Sequence, residues 1–160
     1  PQTAYQVVSM LEGVVERGTG RKIKAVKKPL AGKTGTTNSS VDTWFMGFSP
    51  DLAVGVYGGF DKPRSLGRRE QGASVAAPIF RDFMIEALEG QPAIPFRIPP
   101  GIRLVRVDAS TGVLARADDR NTILEAFRPG TEPTKVGEVL DGSQATTPGT
   151  RARSGTGGLY

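Results

Sequence analysis

Three apolar segments in quick succession constrain this chain more than any other feature. Leu30 to Thr36, Thr43 to Phe48 and Leu52 to Phe60 each have the length of a β-strand. The gaps between them, residues 37–42 and 49–51, are too short for a crossover connection, so the strands must return on one another as an antiparallel meander. Ser49-Pro50-Asp51 is turn chemistry, and Asn38 to Asp42 is a polar turn. In the third segment Leu52, Val54 and Val56 alternate with Ala53, Gly55 and Tyr57, which gives a sheet with two distinct faces. The second carries Trp44, Phe45, Met46 and Phe48.

Helical patterns flank this meander. Ala4, Val7, Val8, Leu11, Val14 and Val15 recur at helical spacing, which predicts a helix from Thr3 to Arg17. Thr3 and Gln6 fit a capping box at its start, and Gly18 and Gly20 stop it. A second helix is predicted from Ala73 to Leu88. Val75, Ile79 and Phe83 form one stripe and Phe80, Met84 and Leu88 another, wide enough together to lie across a sheet. Pro78 is tolerated in its first turn. The predicted fold is therefore α+β, an antiparallel sheet packed with helices, over residues 1–90. A Pro-rich β extension is expected over 91–128, with a strand from Ile102 to Asp108, a turn at Ser110-Thr111-Gly112 and a return over Val113 to Ala115. A flexible low-complexity tail is expected over 129–160, in which Val136, Val139 and Leu140 are the last candidates for packing.

Composition narrows the chemistry. The 160 residues include neither Cys nor His, so thiolate metal sites, zinc chemistry and a Ser-His-Asp triad cannot be assembled within the chain. A general base has to be Lys, a carboxylate or Tyr. No cofactor or metal motif is present. The net charge of +5 is modest. Arg21 to Pro29 is strongly basic but has no interleaved aromatic for base stacking, so it reads as a solvated connecting loop and not as a nucleic-acid site. No apolar run approaches the ~18 residues of a membrane span.

The chemistry is concentrated in Ala31-Gly32-Lys33-Thr34-Gly35-Thr36-Thr37. In a strand, Thr34 and Thr36 share one face, and Lys33 and Gly35 the other. Two hydroxyls at that spacing suit a carboxylate. Backbone groups at a sheet edge can pair with an extended ligand, and Gly35 permits its close approach. Lys33 adds a positive field that favours deprotonation of a nearby hydroxyl. The segment imitates the end of a phosphate-binding P-loop, but that motif requires Gly at position 27, which is Lys, and a following helix.

The order helix, Gly-Thr-Gly, Gly32-Lys33-Thr34-Gly35-Thr36-Thr37-Asn38, Asp42-Thr43-Trp44-Phe45-Met46-Gly47-Phe48, Val54-Gly55-Val56-Tyr57-Gly58-Gly59 and Ala76-Ala77-Pro78-Ile79-Phe80 resembles the C-terminal part of the transpeptidase domain of class A penicillin-binding proteins, 1A type. The resemblance is close over residues 1–90 and looser to about 133. It implies three of the five strands of a serine acyl-transferase sheet. It also implies an enzyme that cross-links peptidoglycan stem peptides and binds β-lactam antibiotics on the periplasmic side of the bacterial inner membrane. Membrane attachment and a glycosyltransferase domain would lie in upstream polypeptide. Carried over, Lys33 interacts with the serine of a Ser-x-Asn element, Thr34 and Thr36 bind the ligand carboxylate, and the Thr36 N–H is an oxyanion donor. Gly35 and Thr37 complete the substrate-binding strand. The chain departs from the pattern in having neither Ser-x-x-Lys nor Ser-x-Asn. The nucleophile is therefore expected in upstream sequence, and the chain alone is expected to be inactive. A non-catalytic cell-wall-binding module is the alternative, with Arg64, Arg68 and Arg69 holding an acidic polymer.

Overall fold

The computed structural model describes residues 1–136. Of the expected tail, residues 137–160, with Val139 and Leu140, lie outside the described residues. The chain forms α1 (Gln2–Glu16), a 3-10 segment (Arg21–Val26), β1 (Ala31–Thr36), β2 (Thr43–Phe48), β3 (Ala53–Gly58), α2 (Ala76–Ala87), β4 (Arg103–Asp108) and β5 (Thr122–Phe127). The first three strands make an antiparallel sheet in the order β1-β2-β3, and β4 pairs with β5 in a second, two-stranded sheet.

Register assigns the faces of the larger sheet. Gly32, Thr34 and Thr36 lie opposite Gly47, Phe45 and Thr43, which lie opposite Val54, Val56 and Gly58. This face is covered. Phe45 is fully buried beneath α2, its ring 4.8 Å from that of Phe80, in a core with Val15, Ile23, Val26, Leu30, Ala76, Ala77 and Met84. Close approach requires two glycines here. A Cβ at Gly32 would come within 2.7 Å of the Phe45 ring, and one at Gly47 within 2.6 Å of Phe45 and 2.7 Å of Phe80. The aromatic pair thus occupies the volume the glycines vacate, at the tight packing usual for protein interiors. The opposite face is open. Trp44, Met46 and Tyr57 are each at least 41% exposed there, with the Trp44 and Tyr57 rings 4.7 Å apart.

The smaller sheet is tied to α1 by polar bonds. Arg17 pairs with Glu125 at 2.8 Å, Gln6 Nε2 donates to the Ala126 carbonyl at 2.9 Å, and Gln2 Nε2 donates to the Pro100 carbonyl at 3.0 Å. Within the sheet only Val107 and Ala126 are buried.

Several expectations are corrected. The capping box at Thr3 and Gln6 does not form. The N-cap is Pro1 with no side-chain cap, and Gln6 is drawn to β5 instead. Of the predicted α1 stripe only Val15 is buried, while Ala4 and Val7 are exposed. The basic stretch is not a plain loop, because Ile23 and Val26 turn inward from the 3-10 segment and join the core. α2 begins at Ala76 and rests on one stripe, Phe80 and Met84, leaving Ile79 and Phe83 about half exposed. Val113 to Ala115 does return on β4, with Asp108 N–H donating to the Val113 carbonyl at 2.9 Å and Ala115 N–H to the Arg106 carbonyl at 3.1 Å, but the full ladder of β4 is with Thr122–Phe127, which sequence reasoning did not assign as a strand. Leu114 makes only single bridges, to Val107 and Val136.

Candidate active site

β1 is an edge strand, and the ladder fixes which of its backbone groups are free. Thr37 N–H donates to the Asp42 carbonyl at 3.0 Å, and on the other side of β2 Ser49 N–H donates to the Leu52 carbonyl at 2.8 Å. Antiparallel pairs alternate between bonded and unbonded. Continuing that alternation, Gly35, Lys33 and Ala31 exchange bonds with β2, whereas the N–H and C=O groups of Gly32, Thr34 and Thr36 point to the open edge. One of these, the Thr34 carbonyl, accepts the Lys33 ammonium at 3.0 Å. The Lys33 side chain thus leaves the open face and bends to the edge.

The Thr34 and Thr36 hydroxyls lie on the Phe45 side of the sheet, and each of the three threonines is anchored by a different segment. Thr34 Oγ1 is 3.0 Å from Thr19 Oγ1. Thr36 Oγ1 accepts the Gly72 N–H at 3.0 Å. Thr37 Oγ1 accepts the Asp42 N–H at 2.8 Å and so closes the β1–β2 turn. A hydroxyl that accepts a backbone N–H keeps its own proton to donate. Thr36 therefore offers an edge N–H and a donor O–H from one residue. Gly72 has to be glycine for this, since a Cβ would meet the Trp44 carbonyl at 2.5 Å and the Gly35 carbonyl at 2.7 Å. The loop that bears it is pinned at its middle, where Leu66 N–H donates to the Ser40 carbonyl at 2.8 Å.

The structure gathers Lys33, Thr34, Gly35 and Thr36 along one edge and gives Thr37 a turn-closing bond. It also supplies residues that sequence reasoning passed over. Thr19 and Gly72 brace the strand from 15 and 36 positions away. Tyr57 Oη donates to Asp42 Oδ1 at 2.8 Å. That bond, ahead of burial and the charges of Asp42 and Asp61, raises the phenol above its ordinary pKa. The pair braces the turn at the end of β1 from the open face. Gly-Thr-Gly at residues 18–20 was the one visible signal for Thr19. Among the described residues no cluster of acidic side chains is arranged to hold a metal ion.

The family described as "Penicillin binding protein transpeptidase domain" matches residues 1–85. Penicillin-binding protein 1A of Rickettsia bellii is 48% identical over 124 residues, covering 78% of this chain and 15% of that protein. Penicillin-binding protein 1A of Pseudomonas aeruginosa is 44% identical over 148 residues, covering 92% of this chain and 18% of the relative. The crystal structure of penicillin-binding protein 1A from Haemophilus influenzae superposes with a TM-score of 0.74 at 35% identity, over 86% of this chain and 22% of that one. The chain thus spans less than a quarter of the length of each of these proteins. With the edge strand, its glycines and its braces in place, the chain belongs to the penicillin-binding protein transpeptidase domain family, as a region of the 1A type.

Proposed function

We propose that this chain forms one wall of the active site of a peptidoglycan D,D-transpeptidase, a serine acyl transferase that penicillins acylate. The observation that carries the reading is Thr36, whose N–H faces the open edge while its hydroxyl, loaded as an acceptor by Gly72, has a proton to give. An extended peptide ending in a carboxylate would lie along β1 by strand addition. Its terminal carboxylate takes the hydroxyl protons of Thr36 and Thr34, and Gly35 leaves room for its backbone.

The serine comes from polypeptide outside this chain. It attacks the penultimate D-Ala carbonyl, its proton passes to a base, and the oxyanion forms at the Thr36 N–H. Collapse expels D-Ala, and an amine of a neighbouring stem peptide then takes the acyl group. A β-lactam follows the same first step, and its amide bond opens. Lys33, exposed and without an acidic partner among the described residues, supplies positive charge to the serine of a Ser-x-Asn element. Thr37 contributes by holding the turn. The reaction belongs on the periplasmic side of the inner membrane, where peptidoglycan lies.

A fluorescent penicillin tests the reading. The protein that carries this chain should label covalently, and Thr36→Val should label more slowly while melting at nearly the same temperature. An unlabelled protein that retains an intact Ser-x-x-Lys would overturn it.

A further inference from the structure

Beside β1 lies a concave feature that the acyl-transfer scheme does not use. A cleft of about 300 Å³ opens between the start of the 3-10 segment, with Thr19, Arg21 and Lys22, and the segment bearing Arg69, Gln71 and Ser74. Both walls connect directly to the candidate strand. Thr19 of one wall is bonded to Thr34, and Gly72, between Gln71 and Ala73 of the other, is bonded to Thr36. The cleft therefore adjoins the residues that brace the two hydroxyls of β1.

The charges of the cleft are uncompensated. Around it, the cations of the first wall's neighbours are neutralised, since Arg17 pairs with Glu125 at 2.8 Å and Lys24 with Glu16 at 2.6 Å. Arg21 and Lys22, between those two, form no ion pair or side-chain hydrogen bond among the described residues, and neither does Arg69 across the cleft. The acid at the rim, Glu70, accepts the Ser74 hydroxyl at 3.1 Å and reaches none of the three. Arg69 is also held in a left-handed backbone conformation, φ 70°, with its carbonyl accepting Ser74 Oγ at 3.3 Å. Such a conformation is strained in a non-glycine residue and persists where surrounding bonds enforce it. The guanidinium, a group suited to bidentate carboxylate binding, belongs to a residue that lines the cleft opposite Arg21 and Lys22.

We propose that this cleft is a second carboxylate subsite, which takes an internal acidic group of the peptide whose terminus lies on β1. The proposal rests on the reading of β1 given above. The cleft accommodates one side-chain-sized anion, and the acids available to a peptide are carboxylates. Arg21 and Arg69 clamp the group, Lys22 adds field, and the preference weakens as salt screens the open cleft.

The experiment uses the penicillin-labelling protein that carries this chain, with fluorescent penicillin as reporter. Two peptides ending in D-Ala-D-Ala compete for labelling, identical except for Glu or Gln at one internal position. The unaltered protein should favour the Glu peptide by about tenfold, the scale of one charge-assisted hydrogen bond. Arg21→Gln with Arg69→Gln should bring that ratio close to one, and Lys22→Gln should lower it partway. Lys24→Gln, outside the cleft, should leave it unchanged. Because the ratio is internal to each variant, a general loss of folding does not imitate the result. A labelled protein with a ratio near one, or a ratio that survives the double substitution, overturns the subsite alone. A protein that never labels overturns the active-site reading and the subsite with it.

Discussion

The two sheets of this molecule are built on opposite principles. The three-stranded sheet is held by volume: Phe45 and Phe80 fill space that Gly32 and Gly47 leave open, under a helix that buries Ala76, Ala77 and Met84. The two-stranded sheet is held by addresses, namely one ion pair and one side-chain bond to a backbone carbonyl, with a second such bond holding Pro100 in the segment that leads into it. Packing is dense, non-directional and sensitive to single methylenes, whereas exposed polar ties fix position at small net energy. The candidate site lies at the edge of the packed sheet. The lesson is that rigidity sits where backbone groups have to be aimed, and weak attachment where only placement is needed.

Substitutions can break that contrast. Phe80→Ala should cost about 3–5 kcal/mol in unfolding free energy, measured by denaturant titration. Val107→Ala, the deepest truncation available in the smaller sheet, should cost about 1.5 kcal/mol. Equal losses would erase the distinction. Gly47→Ala should cost about 1–3 kcal/mol by overpacking against the two rings. If it is silent, the glycine–aromatic fit does not hold the sheet.

Thr36→Val sharpens the comparison at the edge. Labelling by penicillin should slow by about tenfold or more through the lost hydroxyl bond, with a much smaller effect on melting. Glu125→Gln should lower stability by less than about 1 kcal/mol, as an exposed pair does. The smallest effect concerns Glu12, whose carboxyl is raised above its ordinary pKa by burial first and by the neighbouring Glu16 second. The folded state then holds that proton to higher pH than the unfolded chain does. Stability therefore falls as pH rises from the unfolded value through the raised one, and Glu12→Gln should flatten this part of the profile of melting temperature against pH.

What the sequence disclosed follows the same division. The meander was legible because its strands are adjacent and their turns short. β2 runs over the predicted residues, and β1 and β3 differ only at their ends. Lys33, Thr34 and Thr36 were legible as a pattern within one strand. β5 was not, because Thr-Ile-Leu-Glu-Ala-Phe mixes helix and strand formers and pairs with β4 across 13 intervening residues, 109–121. Ile23 and Val26 were masked by the lysines around them. The bracing bonds of Thr19 and Gly72 could not be read, even with Gly-Thr-Gly visible around Thr19, because local spacing carries no information about a partner 15 or 36 positions away. Gln6 shows the converse. A locally plausible cap lost to a tertiary carbonyl, that of Ala126.

Gly72 has one more consequence. The bearing of the Thr36 hydroxyl is set by an amide on a connector outside the Lys-Thr-Gly strand, and that connector is itself pinned midway at Ser40. An insertion or deletion between Asp61 and Gly72 would re-aim the hydroxyl while every residue of the Lys-Thr-Gly strand stayed the same. Surveys of altered drug response that read only the motif would score such alleles as wild type.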